Sequence, residues 1–351
     1  MDRYISMDVH TQSCTCAVVG PTGKRLKLEV VETNGAALVQ MVRSIPGDKH
    51  LIFEEGTQSA WLYELLEPHV EEVVVVAPGR SEGQKSDARD AWALAEQLRN
   101  GAVEKRVFKR PRAFTQLRDA VRGYRLVTQD IVRTKNRIKA IYRSRGIQGT
   151  GEEVYNADKR RTWLNQLPES NRGLAELLGL ELDALTELQA RAEKRLNEEA
   201  NRQAAVKLLA TAPAIGLIRA ATVVAVVVTP DRFRTKRQFW SYCGLGIVTR
   251  SSADWVRENG KWVRAEVNKT RGLNRNRNPW LKEVFKGAAM GVITRLPTHP
   301  LHKDYQRLLE SGTRPNLARL TLARRIASAV LAMWKNQEAY DPAKHRKQQA
   351  A

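Results

Sequence analysis

Two aspartates in the first hundred residues have the spacing that metal-dependent chemistry needs. Asp87 and Asp90 stand three positions apart at the start of a segment rich in Ala and Leu, which favours a helix. Both carboxylates would then lie on the same helix face, where they repel each other unless a cation lies between them. An isolated pair at a helix start also has an ordinary explanation, compensation of the helix dipole, so further acids are needed to decide.

Two more acids occur in segments that we predict to be strands. Asp8 interrupts an apolar strand, although Asp has low strand propensity and a buried carboxylate is costly unless it is paired or metal-bound. Glu55 ends a compact apolar strand, and we prefer it to Glu54 because neighbouring strand residues face opposite ways. Together with Asp87 and Asp90 they would form a site for Mg²⁺ (or Mn²⁺) ions, which stabilise the attacking and leaving oxygens in phosphoryl transfer.

The elements that must position these acids alternate between strands and helices. Hydrophobic patterning predicts strands at 3–9, 13–19, 25–31, 51–55 and 72–77, with helices at 34–42, 59–66 and from Asp87 onward. This order predicts a three-stranded meander that continues into parallel strands with crossover helices, the ribonuclease H-like arrangement. Ligand sites in such sheets lie at the carboxyl ends of parallel strands, where we expect Asp8, Glu55 and the Asp87 helix to meet.

A strongly basic, helix-forming segment follows. Between Lys105 and Arg145 there are 14 Lys or Arg against Asp119 and Asp130 alone, and apolar residues recur every three or four positions, as in a coiled-coil seam. A run of charge almost all of one sign suits a phosphate backbone. The candidate nucleic-acid-binding residues, here and further along the chain, are Arg118, Arg122, Arg125, Arg133, Lys135, Arg137, Lys139, Arg143, Arg250, Lys269, Arg271 and Arg275.

The rest of the chain is predicted to be mostly helical. A second helical stretch at 180–209 packs antiparallel against the basic helix or pairs with another subunit. The Pro- and Gly-containing turn at 211–216 resembles a helix–hairpin–helix, whose amides can meet phosphate, or is a plain interhelical turn. Asn259-Gly260 between two alternating segments predicts a type I′ hairpin. Further helices are predicted at 233–243, 280–296 and 317–334.

Composition excludes several classes of protein. The 351 residues carry a formal charge of +21, which favours a polyanionic partner, nucleic acid before membrane. We see no apolar run of the ~18 residues that a membrane span needs and no signal peptide. Cys14, Cys16 and Cys243 lack zinc-type spacing. We therefore expect a reduced, cytoplasmic protein.

Three acidic blocks, in order, carry a family resemblance that covers nearly the whole chain. Met7-Asp8-Val9, Phe53-Glu54-Glu55-Gly56-Thr57 and Lys85-Ser86-Asp87-Ala88-Arg89-Asp90-Ala91 resemble the Asp, Glu and Asp-x-x-Asp blocks of the bridge-RNA-guided DEDD transposases of bacterial insertion sequences (the IS-one-ten type). The segment from Ala212 through Tyr242-Cys243-Gly244-Leu245 resembles that family's C-terminal transposase domain.

The resemblance implies a RuvC-like nuclease domain with a DEDD metal site, joined by a coiled coil to a domain with a catalytic serine. By spacing, the serine falls on Ser252, with Ser251 as the alternative, and it would attack DNA to form a covalent phosphoserine. The implied division is a nuclease domain at 1–105, a basic coiled-coil domain at 106–205, a mostly α transposase domain with a short β-hairpin at 206–340, and a polar tail at 341–351.

The implied partners are donor and target DNA, a structured guide (bridge) RNA that pairs with both, and further copies of the chain in a dimer or tetramer. The expected location is the bacterial cytoplasm, on the nucleoid. Two other functions remain open from the residues. One is a metal-dependent RuvC-like nuclease or Holliday-junction resolvase without a serine nucleophile, and the other is a non-catalytic nucleic-acid-binding protein.

Overall fold

The computed structural model describes residues 1–79, 86–109, 113–148, 151–249, 255–264 and 270–347. The chain divides into two compact units, residues 1–113 and 114–351. The first is a mixed sheet covered by helices and the second is mostly helical, as the sequence predicts at this level. Among the described residues, none of the helices is long and apolar enough to cross a membrane.

The first unit follows the predicted order of elements. They are β1 (Asp2–Val9), β2 (Ser13–Val19), β3 (Arg25–Glu32), α1 (Gly35–Ser44), β4 (Asp48–Glu54), α2 (Ser59–Leu66), β5 (Glu72–Val76) and α3 (Asp87–Arg99). The strands pair in the order β3-β2-β1-β4-β5. The first three form an antiparallel meander, and β1, β4 and β5 are parallel.

Strands β1, β2, β4 and β5 are largely buried, which explains their nearly continuous apolar runs, whereas the edge strand β3 is mostly exposed. Side chains alternate between the faces. Ile5 and Met7 of β1 pack with Phe53 of β4 in a core that includes residues of α1 and α2. Ile52 of β4 belongs to a second core, with Leu94 of α3.

β1 is tied to α3 by a buried side chain. The hydroxyl of Ser6 donates a hydrogen bond to the backbone carbonyl of Ala91, with an oxygen–oxygen distance of 2.6 Å. Ser6 and Asp8 alternate with Ile5 and Met7, so both polar residues lie on the α3 face of the sheet.

Two long helices begin the second unit. They are α4 (Thr115–Arg143) and, after the short α5 (Arg160–Leu164), α6 (Glu169–Asn201). The Thr134 hydroxyl donates to Glu181 over 3.1 Å, and Gln189 donates to the Thr128 hydroxyl over 3.1 Å. Since the higher-numbered residue of α4 pairs with the lower-numbered residue of α6, the helices are antiparallel. This is one of the two arrangements that the sequence left open.

Shorter helices complete the second unit around a large core, which is separate from a smaller core between α4 and α6. The elements are α7 (Ala204–Ala210), α8 (Gly216–Val227), α9 (Lys236–Tyr242), β6 (Ile247–Thr249), β7 (Trp255–Glu258), β8 (Lys261–Arg264), β9 (Thr270–Leu273), α10 (Pro279–Arg295), α11 (Pro300–Glu310), α12 (Pro315–Asn336) and α13 (Pro342–Lys347).

The predicted hairpin is present. β7 and β8 pair antiparallel, and the two residues between them, Asn259 and Gly260, have φ values of 49° and 81°. Positive φ at both central positions defines a type I′ turn, which confirms the prediction. The sequence did not predict α11, and it predicted only a polar tail where α13 lies.

Candidate active site

An acidic cleft of about 740 Å³ lies at one end of the sheet in the first unit. Because β1, β4 and β5 are parallel, their carboxyl ends meet at this edge, and the first turn of α3 forms the facing wall. The acidic side chains that line the cleft are Asp8, Glu54, Asp87, Asp90 and Glu104.

Asp8 and Asp87 come together across this cleft with His10 between them. The Nε2 atom of His10 lies 3.6 Å from a carboxylate oxygen of Asp8 and 3.6 Å from one of Asp87. Each of the three residues offers a ligand atom, and these atoms lie within 4.8 Å of one another. The sequence prediction did not include His10, although its position two residues after Asp8 was a signal for it.

The charges and the burial of the cleft act on the carboxyl group of Asp8. Burial raises the pKa of the Asp8 carboxyl above its ordinary value, and His10 opposes this rise. The negative charges of Asp87, Asp90 and Glu54 raise the pKa further. Like charges disfavour the ionised form of a carboxyl group nearby, so the three acids add to the effect of burial.

The structure places Glu54, rather than Glu55, in the cleft. In the β1–β4 ladder Met7 pairs with Phe53, so Asp8 and Glu54 follow on the same face of the sheet. A carboxylate oxygen of Glu54 accepts a hydrogen bond from the backbone amide of Gly79, with a nitrogen–oxygen distance of 3.2 Å. As predicted, the neighbouring residues Glu54 and Glu55 face opposite ways. The sequence pattern predicts Glu55 in the cleft, however, whereas Glu54 is the residue that faces it.

Glu55 has a different environment. Its carboxylate forms an ion pair with the Lys109 ammonium group, at a nitrogen–oxygen distance of 2.7 Å. Lys109 also donates to the Ser59 hydroxyl over 3.1 Å. The side chain of Lys109 is only 17% exposed, so Glu55 neutralises a largely buried cation.

The side chains around the cleft fit a divalent cation. Carboxylate oxygens are the donors that Mg²⁺ and Mn²⁺ prefer, and a neutral imidazole adds a nitrogen donor. Burial and, to a lesser extent, the neighbouring carboxylates raise the pKa of Asp8, and a bound cation would relieve the repulsion between the carboxylates. The position of Asp87 and Asp90 in the first turn of α3 adds stabilisation from the helix dipole.

Several of the basic residues predicted to bind nucleic acid are engaged within the second unit. Arg125 pairs with Glu283 over 2.6 Å and lies 4.8 Å above the ring of Trp280. Lys135 pairs with Glu152 over 2.6 Å. The other contacts join Arg118 to Thr115, Arg133 to Asp130, Arg137 to Glu181, and Lys139 to the ring of Tyr155.

Several basic candidates face solvent. Arg122 and Arg143 are exposed on α4, and Arg275 is exposed in the loop after β9. Arg133 and Arg137 are also exposed, although each has an ion-pair partner. Arg250, Ser251, Ser252 and Lys269 lie outside the described residues, and Arg271 lies in β9. The candidate serine nucleophile therefore remains a prediction from the sequence.

Two family models match the chain, and together they cover well over half of it. A transposase model of the DEDD IS110 type matches residues 5–144, which contain Asp8, Glu54, Asp87 and Asp90. A second model, described as Transposase IS116/IS110/IS902 family, matches residues 206–306. No curated protein matches the chain.

These matches confirm the family resemblance of the acidic blocks and of the C-terminal segment. They suggest the use of a divalent metal and imply a DNA substrate. A non-catalytic nucleic-acid-binding protein is thereby excluded. The chain belongs to the IS110-type family of DEDD transposases, and it is a DNA transposase/recombinase.

Proposed function

We propose that the protein is an RNA-guided transposase that cuts and rejoins donor and target DNA through a covalent phosphoserine, with the acidic cleft as its metal site. One observation carries this proposal. Asp8, Glu54, Asp87 and Asp90 line a single cleft in a chain of transposase family.

The sheet supports a RuvC-like (ribonuclease H-like) nuclease domain. An antiparallel meander followed by two parallel strands, in the order β3-β2-β1-β4-β5, is the arrangement that such a domain requires. The antiparallel pairing of α4 with α6 supports a coiled-coil domain at 106–205, between a nuclease domain at 1–105 and a transposase domain at 206–340.

Mg²⁺, or Mn²⁺, would be held by Asp8, Asp87, Asp90 and Glu54, with His10 as a further ligand. Such an ion supplies positive charge that stabilises phosphoryl transfer. The four carboxylates concentrate negative charge in the cleft, and His10 partly offsets its effect on Asp8.

Ser252 is the proposed nucleophile. Its hydroxyl oxygen forms a bond to the phosphorus of a DNA phosphodiester while the bond from phosphorus to one sugar oxygen breaks. The leaving oxygen takes up a proton and becomes a free DNA hydroxyl. When that hydroxyl of one strand attacks the phosphoserine of its partner strand, the serine is released and the strands are exchanged. Serine needs activation for such a step, by a base or a metal.

The formal charge of +21 supports binding to polyanions. A guide RNA and two DNA partners together present more phosphate charge for the protein to neutralise than a single DNA duplex does. The exposed arginines of α4, with Arg250, Lys269, Arg271 and Arg275, are the proposed contacts with phosphate. A dimer or tetramer on the bacterial nucleoid is the proposed assembly.

The test uses purified protein, the RNA transcribed from the element, and an end-labelled donor DNA that carries the element's ends. On a denaturing gel we expect a labelled protein–DNA adduct that Ser252→Ala abolishes and Ser251→Ala retains. The opposite pattern would move the nucleophile to Ser251.

Two other outcomes contradict separate parts of the proposal. Cleavage without any adduct would favour a metal-dependent nuclease or Holliday-junction resolvase. Unchanged cleavage of the same DNA after the RNA is omitted would overturn RNA guidance and leave the serine chemistry intact.

A further inference from the structure

One edge of the sheet in the first unit carries exposed apolar side chains. β3 is the last strand in the order β3-β2-β1-β4-β5. Its residues Leu26, Leu28 and Val30 are 44%, 45% and 67% exposed. The ladder with β2 shifts register at Leu26. Leu28 and Val30 lie in the regular part of the strand, so they share one face and form a short apolar stripe.

The backbone groups that face the open side of β3 can be identified from its pairing with β2. The ladder is regular from Lys27 to Glu32, and just beyond it the amide of Thr33 donates to the carbonyl of Gln12. Successive residues of a strand direct these groups to opposite sides. Odd-numbered residues of β3 therefore bond to β2, while Leu28 and Val30 direct their amides and carbonyls outward.

A second β3 strand fits this edge in one register. If two copies pair antiparallel about a twofold axis at Leu28, each Leu28 exchanges two backbone hydrogen bonds with its symmetry mate. Lys27 of each copy then lies directly opposite Glu29 of the other. This is a non-hydrogen-bonded position, where side chains approach most closely.

The neighbouring registers are unfavourable. The outward hydrogen-bonding groups alternate along each strand. The antiparallel pair can therefore change register only in steps that move the twofold axis by one residue. An axis at Lys27 would place the two lysines opposite each other, and an axis at Glu29 would do the same with the two glutamates. Like charges directly opposite destabilise a strand pair.

The same register also matches the apolar stripe. The two Leu28 side chains lie next to each other on the face that also carries Val30 of each copy. The charged residues occupy the opposite face, where Lys27 and Glu29 already form an ion pair within the strand, at 2.7 Å. A lysine on an edge strand usually discourages association, whereas here the partner's glutamate would neutralise it.

We infer that β3 is an interface at which two copies of this chain pair through their Leu28-centred edges, so that one sheet continues through both. Exposed apolar area, outward backbone groups and self-complementary charge all select a second copy as the occupant. The inference does not depend on the serine chemistry or on the guide RNA.

Charge-reversal substitutions in the full-length protein test this interface, with self-association measured by sedimentation equilibrium. Lys27→Glu places glutamates opposite one another at two symmetric positions, and Glu29→Lys does the same with lysines. We expect each single variant to weaken self-association by on the order of tenfold or more.

The decisive arm is an equal mixture of the two single variants. Each single variant loses the Lys27–Glu29 ion pair within its own strand and carries two like charges at positions 27 and 29 instead. Between the two variants, however, both cross-strand pairs join a glutamate to a lysine. Restored association in the mixture therefore reports contact between copies, and a purely structural role of the Lys27–Glu29 pair would leave the mixture as weak as its components.

Hydrogen exchange supplies an independent readout on the unmodified protein. The amides of Leu28 and Val30 should exchange more slowly as protein concentration rises, whereas the amides of buried β4 should not depend on concentration. Unchanged association in both single variants, or exchange at Leu28 that is independent of concentration, would overturn the proposal.

Discussion

Glu54 and Glu55 are adjacent in the chain, but their carboxylates lie in different environments. Glu54 lines the acidic cleft and accepts a hydrogen bond from the Gly79 amide. Glu55 forms an ion pair with the largely buried Lys109. The register of β1 with β4 places Glu54 beside Asp8 on the α3 face of the sheet, so the fold itself distinguishes a candidate metal ligand from a structural acid.

Divalent metal should stabilise the protein through the cleft. Mn²⁺ at about 100 times its dissociation constant would add about 2.7 kcal/mol to the free energy of unfolding, measured as a rise in Tm. Asp87→Asn should abolish most of that rise because it removes the negative charge of one carboxylate in the Asp8–His10–Asp87 group. Asp2→Asn, at the other end of β1, is the control and should keep the full rise. An equal metal response in both variants would contradict a metal site in the cleft.

The stability of the metal-free protein should depend on Asp8 in a pH-dependent way. Because the folded-state pKa of Asp8 is raised, its ionisation costs stability as pH rises from about 3.9, the ordinary value, through the folded pKa. In the presence of a chelator, Asp8→Asn should therefore have a higher Tm than the native protein at pH 7. That advantage should shrink as pH falls towards 4, and a variant that is less stable at pH 7 would refute the assignment.

Two arginines one helical turn apart on α4 should behave differently. Arg122 is exposed, so Arg122→Ala should weaken binding to a short labelled DNA duplex, reduce the salt slope by about 1, and change stability by less than ~0.5 kcal/mol. Arg125 pairs with Glu283 and lies over Trp280. Its replacement by Ala should lower the free energy of unfolding by roughly 1–2 kcal/mol.

Binding measured against salt, with thermal melts of both variants, separates these effects. The account of α4 would be wrong if Arg122→Ala melted early and kept its salt slope while Arg125→Ala did the reverse.

Local sequence pattern was sufficient for most elements of the first unit. The alternation of Ile5 and Met7 with polar residues and the apolar run before Glu54 each depend on neighbouring residues alone, as does the Asn259-Gly260 turn of the second unit. Such short-range signals also placed Asp8, Asp87 and Asp90 at the ends of elements that the structure brings to one cleft.

What could not be predicted depends on contacts between distant segments. Whether Glu54 or Glu55 enters the cleft is decided by the pairing of Phe53 with Met7, which no pattern within β4 specifies. The role of His10 depends on the path of the chain after β1. Arg125 looked like a free phosphate contact because Glu283, its partner, lies 158 residues away.

The most direct measurement of the central claim compares Glu54→Gln with Glu55→Gln in the Mg²⁺-dependent cleavage of labelled donor DNA, with a thermal melt of each variant as the folding control. If the acidic cleft is the metal site of this transposase, Glu54→Gln should slow cleavage on the order of 100-fold or more, since several kcal/mol of charge stabilisation are lost. Glu55→Gln should cleave within about threefold of the native rate, because an amide can still accept a hydrogen bond from Lys109. Loss of cleavage in a folded Glu55→Gln variant, with native cleavage by Glu54→Gln, would contradict the account.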